Sequence, residues 1–190
     1  MIIGRNLVAG TVLGVMLSAG VALAKEIPIG EHKVIQEPGL EVAAVYLQAI
    51  EMEPAAFEGR QLYLPREKSD IHLEADIRAL RGNKQGFRED EWVPALIMRY
   101  TLRNLDTGQE QSGILHPMNA NDGPHYGANI KMTGLGNYKL IFSIAPPDRV
   151  AADAPVKQGF GRASSVASWW KPFQVEWTFQ YFGPGKKGGY

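Results

Sequence analysis

"DIHLEADIRAL", residues 70–80, alternates without a break: Ile71, Leu73, Ala75 and Ile77 fall on one side, and His72, Glu74, Asp76 and Arg78 on the other. A period of two marks a strand, because successive side chains leave opposite faces of a pleated sheet. The same period recurs on both sides of this segment. "EVAAVYLQAIEM" (41–52) reads as a strand, and "PALIMRYTLRN" (94–104) sends Leu96, Met98, Tyr100 and Leu102 to one face. "SGILHPM" (112–118) is a short strand, "NYKLIFSIAPP" (137–147) alternates Tyr138, Leu140, Phe142 and Ile144, and "FQVEWTFQYF" (173–182) alternates Phe173, Val175, Trp177, Phe179 and Tyr181. Gly, Pro, Asn and Asp separate these runs, as in "NLDTGQE" (104–110), and no segment carries a long period of 3.6. About seven strands predict an all-β chain, an immunoglobulin-like antiparallel β-sandwich. Two long connections, 54–70 and 146–172, complete it.

The chain has 190 residues, no cysteine, and equal numbers of basic and acidic residues. Its mean hydropathy is −0.19. Residues 1–24 read as a secretory signal: Arg5 precedes an uncharged apolar run that ends in Ala22, Leu23 and Ala24 before Lys25 and Glu26. Cleavage after about Ala24 leaves one domain, residues 25–190, in the bacterial periplasm. The absence of cysteine excludes a lipid-modified cysteine, a disulfide framework, a thiolate nucleophile and zinc–thiolate sites. The balanced charge offers no footprint for nucleic acid. No phosphate-binding glycine loop or hydrolase motif is present, so a small organic substrate is not expected and no catalytic residue is assigned.

Two segments carry chemistry. His72 and Glu74 lie two apart on one strand face, about 7 Å from each other. Taken alone, that row reads as the solvent side of a half-exposed sheet. In "ILHPMNANDGPHYG" (114–127), His116 and Met118 repeat the two-residue spacing. Gly123 and Pro124 then reverse the chain and hold His125 on a rigid loop, while Asp122 either caps the turn or serves as a donor. Met118 either plugs the end of the sandwich or offers a soft thioether. Strand ends from distant sequence can meet, and two imidazoles, a thioether and a carboxylate suit copper better than calcium or magnesium; manganese, ferrous iron and zinc stay open. His32 has no neighbouring donor and reads as a surface residue. Trp169 and Trp170 read as packing at a sandwich end or an interface.

These motifs, with "GFREDEWVPAL", "GNYKLIFSIAPP", "GFGR" and "WWKPFQVEWTFQYFG", resemble the periplasmic high-affinity iron-transport protein family over about residues 25–186. Its members are periplasmic partners of an inner-membrane, oxidase-dependent ferrous-iron permease. The resemblance implies an immunoglobulin-like sandwich that forms a homodimer. It also implies a copper ion near the dimer interface and an iron ion beside it, for which manganese can stand in. Carried over by motif, the ligands are His72, Glu74, Met118, Asp122 and His125. Two departures stand out. Ala163 follows "GFGR" where the family has a ligand histidine, in a loop about four residues short, and His116 replaces an apolar residue. His116, on the strand face of Met118, is then an additional ligand in place of the missing imidazole; otherwise the chain is a variant with an impaired site. The resemblance leaves open whether copper is structural or cycles in a ferroxidase-like step. The alternative function is a copper carrier or resistance protein with no role in iron uptake.

Overall fold

The computed structural model describes residues 26–146 and 161–184. The signal expected over 1–24, residues 147–160 of the second long connection, and the last six residues lie outside them.

The alternating segments become the long strands. In chain order these are β1 (Ile27–Pro28), β2 (Lys33–Ile35), β3 (Leu40–Gln48), β4 (Ala56–Phe57), β5 (Arg60–Gln61), β6 (Ile71–Ala79) and β7 (Ile97–Asn104). After them come β8 (Glu110–Ala120), β9 (Gly123–Ile130), β10 (Gly136–Ala145) and β11 (Phe173–Tyr181). Seven are long; the other four span two or three residues each. All pairings are antiparallel. The chain is an all-β, sandwich-like fold, with one 3-10 turn at Arg66–Lys68 and no α-helix among the described residues. Among the described residues no helix is long and apolar enough to cross a membrane.

The hydrogen-bonded path runs β1–β3–β6–β9–β8–β7–β10–β11, with β2 also paired to β3. It curls at β8, which serves both layers. Glu110 to Leu115 pair with β7, whereas His116 to Ala120 pair with β9. The core lies between the layers. Leu40, Val42, Leu73 and Ile77 on one side meet Met98, Leu140, Phe142 and Trp177 on the other in a single buried cluster.

The two layers differ in their outer faces. β11 largely alternates buried and exposed residues and β10 buried and half-buried ones, as a sheet with one wet face must. β6 and β9 are buried on both faces over most of their length. The row His72–Glu74, expected at the solvent surface, is therefore inside. The segment between Ile50 and Leu64, which includes the β4–β5 hairpin, is fastened over that face. Glu58 and Gly59, both with positive φ, form the hairpin's two-residue turn.

The block "NDGPHYG" departs from expectation. Only Asn121 and Asp122 form the turn, and β9 begins at Gly123, so His125 stands on a central strand and not on a loop. The Gly and Pro read as loop residues because they crowd the tightest possible hairpin. Pairing with β6 and β8 on both sides then holds the strand extended. Trp169 stands edge-on to Trp170 and tilted over Phe87, and Trp170 and Phe87 pack against the core.

Candidate metal centre

Three adjacent strands supply the site. The ladders set Met118 opposite His125, His116 and Glu74 each opposite Gly127, and His72 opposite Asn129. Directly opposed residues share a sheet face. His72 and Glu74 of β6, His125, Gly127 and Asn129 of β9, and His116 and Met118 of β8 thus occupy one patch. It is the outer face of the first layer, closed over by neighbouring chain.

Three side chains converge at its centre. Glu74 Oε1 lies 3.6 Å from His72 Nε2 and 3.4 Å from His125 Nε2. All three residues are at most 4% exposed. Neither Nε2 atom has a hydrogen-bond partner among the described residues. Buried polar nitrogens are almost always paired, so two orphans aimed at one carboxylate mark a place built for something else. The His72 ring is held by its other nitrogen: Nδ1 is 3.0 Å from Asn129 Oδ1. The Gly123 backbone opposes the lowering that burial imposes on His125.

Gly127 forms the floor. A Cβ there would run into His72 Nε2, reach 2.8 Å from His72 Cε1 and come within 3.0 Å of Met118 Sδ. The imidazole nitrogen and the thioether sulfur fill the space that a side chain would take. A pair of nitrogens, a sulfur and a carboxylate oxygen at one cradle fit a borderline-soft transition metal.

Electrostatics agree with that donor set. Burial pushes His72 down to about 4, with the His125 charge adding to the effect and the Asn129 bond opposing it. Burial also lowers His125. Both imidazoles are neutral at pH 7, as ligands must be. Burial first, then the charges of Glu26, Asp76 and Asp122, raise Glu74 to about 8.

A second group shares Glu74. Donor oxygens of Glu26, Glu74 and Asp122 all lie within 4.8 Å of one another. The Glu26 carboxyl is raised to about 7, chiefly by its hydrogen bond with Asp122, which is lowered by the same bond. Glu26 reaches this position because the N-terminal segment is pinned to the sandwich. Ile29 N–H donates to Ala44 O at 2.7 Å, and Trp177 Nε1 donates to Glu31 O at 2.8 Å. An open cavity of about 340 Å³ adjoins both groups and is lined by Glu26, Asp76, Asp122 and His125, with His32 and Glu41 at its rim. His32 is exposed, as expected, and pairs with Glu41 at 3.1 Å.

Five of the six expected donors therefore fall in one neighbourhood, in two groups. His72, Glu74, His125 and Met118 surround Gly127, while Asp122 belongs to the acidic group. His116 shares their sheet face but stands outside both groups. Its ring is edge-on to Tyr63 with centroids 5.2 Å apart. Ala163 lies in an exposed turn closed by the Val166 N–H to Ala163 O bond and brings no donor. Glu26, Gly127 and Asn129 were not foreseen. Period-two reading of "HYGAN" as a strand would have placed His125, Gly127 and Asn129 on one face. Glu26, two residues past the expected cleavage point, carries no local signal.

Residues 23–183 match the profile of the Fe2+ transport protein family. A UPF0423 protein of Brucella abortus is 47% identical over 193 residues, covering 98% of this chain and 100% of that one. The copper-reconstituted P19 protein of Campylobacter jejuni is 47% identical, with a TM-score of 0.75 over 85% of this chain and 99% of that one. A copper-bound variant of FetP from uropathogenic Escherichia coli strain F11 is 47% identical, with a TM-score of 0.70 over 84% of this chain and 99% of that one. The chain belongs to the Fe2+ transport protein family.

Proposed function

We propose that this member of the Fe2+ transport protein family is the periplasmic metal-binding component of an iron uptake system. Copper is held by His72 Nε2, His125 Nε2 and Met118 Sδ with Glu74. The observation that carries this reading is the pair of buried, unpartnered Nε2 atoms that face one carboxylate over a glycine floor. Bound copper would supply a redox-capable or purely structural centre there. The residues around it hold neutral imidazoles ready, keep a proton on Glu74 until metal arrives, and exclude water by burial.

The acidic group of Glu26, Glu74 and Asp122 offers only oxygen, which suits ferrous iron, with manganese as its surrogate. Glu74 belongs to both groups, so cargo and copper are neighbours. In this reading the cavity beside His125 admits the cargo, and a homodimer of the chain presents it to an inner-membrane permease. His116 enters as a reserve donor: rotation away from Tyr63 would turn it toward Met118.

A copper(II) titration of the metal-free exported protein tests the reading. It predicts one tight site per chain, abolished by His125→Ala. Growth of a deletion strain separates iron uptake from copper handling. A defect under iron limitation supports the proposal, whereas a defect confined to copper excess would replace it with a copper carrier.

A further inference from the structure

Asn129 lies opposite His72 on the β6–β9 ladder and is 6% exposed. Its amide makes four hydrogen bonds, and their chemistry leaves no freedom of orientation. Nδ2 donates to Ile50 O at 2.8 Å and to Leu64 O at 3.0 Å. Two carbonyls have no hydrogen to give, so that end of the amide must be the NH2 group. Oδ1 therefore faces the other way, where it accepts from Ile50 N–H at 3.3 Å and sits 3.0 Å from His72 Nδ1. An amide oxygen cannot donate. The hydrogen between Asn129 and His72 must be on Nδ1, and the lone pair must be on Nε2, the atom that stands over Gly127 with no partner.

We propose that Asn129 is the positioning residue of the metal centre. It sets His72 in the Nδ1–H tautomer, fixes the plane of the ring so that Nε2 is the donor, and keeps that donor weakly basic. The proposal rests on the copper reading above for the identity of the metal. The third property follows from the kind of partner. A carboxylate in this place would pull on the Nδ1 proton and strengthen the opposite nitrogen as a donor, whereas a neutral amide polarises it less. A weakly basic imidazole beside a thioether favours the softer, reduced ion relative to copper(II). The two carbonyls that fix the amide come from the ends of the segment that closes over the site. The same amide therefore ties the cover to the ligand.

Two variants separate these roles. Asn129→Leu removes the acceptor and the two donors together. Asn129→Asp keeps an acceptor for His72 Nδ1 and replaces the amide by a carboxylate. Long-range proton–nitrogen NMR on the metal-free, 15N-labelled exported protein reads the tautomer directly and needs no metal. The expected results are a His72 Nδ1–H tautomer in the unmodified protein, and a 10- to 100-fold weaker copper(II) affinity for Asn129→Leu. Asn129→Asp should keep the tautomer and show a copper(II)/copper(I) potential below that of the unmodified protein.

An Nε2–H tautomer in the unmodified protein would overturn the proposal. So would undiminished copper affinity in Asn129→Leu, or an unchanged potential in Asn129→Asp. If Asn129→Leu fails to fold, the tautomer of the unmodified protein and the potential of Asn129→Asp still decide. Failure of the unmodified protein to bind copper would sink the function proposed above and remove the metal from this inference, while the NMR result would still decide the tautomer.

Discussion

Gly127 is the least conspicuous residue of the site and its tightest position. No donor atom belongs to it, yet a single methyl group there would occupy the space of His72 Nε2 and press on Met118 Sδ. Gly127→Ala should weaken copper(II) at least about tenfold, by displacing two ligands at once. Competition titration measures this, and an unchanged far-UV circular dichroism spectrum would confirm that the sheet survives. His116 provides the contrast. Its ring packs on Tyr63, outside the three-residue cluster. His116→Ala should lower copper affinity by less than about tenfold, against near-complete loss for His125→Ala. A loss as large as that of His125→Ala would show that His116 swings in when metal binds. At this scale the sequence was informative about donors and blind to the glycine floor and the amide anchor. Residue type announces what can bind a metal. It does not announce what must be absent for binding to occur.

Strand β6 places an imidazole and two carboxyls on one face, and the rest of the fold buries His72 and Glu74 while Asp76 stays partly exposed. That arrangement makes stability depend on pH in a direction that can be worked out. Glu74 is raised from 4.5 to about 8. Between those values the folded chain keeps a proton that the unfolded chain has released, so this contribution is full below about 4.5 and is lost as pH rises toward 8. His72, lowered from 6.5 to about 4, acts in the opposite sense: the unfolded chain holds the extra proton, and stability grows with pH up to about 6.5. The two offset each other between about 4.5 and 6.5. From about 6.5 to 8 Glu74 acts without that opposition. Metal-free protein should therefore lose stability across this upper window, and Glu74→Gln should flatten the loss, stabilising the metal-free fold at pH 8 by at least about 1 kcal/mol. Urea unfolding at pH 6.5 and pH 8 checks it. The period-two pattern located β6 to within a residue at each end, because alternation is a property of neighbours in sequence. Strand β9 escaped, because its Gly and Pro match turn statistics and only the strands on either side hold it extended.

For the whole molecule, metal and fold are linked by mass action. A ligand that binds only the folded state at about a hundred times its dissociation constant adds about 2.7 kcal/mol of stability. Copper(II) at that excess should raise the melting temperature of the unmodified protein and leave that of His125→Ala nearly unmoved, as a thermal scan would show. The core holds the sandwich together without disulfides. Phe142, fully buried between the layers and edge-on to Trp177, is a large part of it. Phe142→Ala should cost about 3–5 kcal/mol in chemical unfolding, with copper affinity little changed, since Phe142 lies in the core and the donors lie on the outer face of the first layer. At this scale the sequence by itself determined the β class, the long alternating strands and which side-chain types could serve as metal donors. Those properties follow from local periodicity and from the chemistry of single side chains. Tertiary structure alone decided which side of β6 is wet, which donors share a cradle, and that Glu26, Gly127 and Asn129 take part. The physical reason is that burial, register and close approach are set between strands far apart in the chain. In β8 a crossover between layers, at Leu115 and His116, turns the strand's second half toward His125.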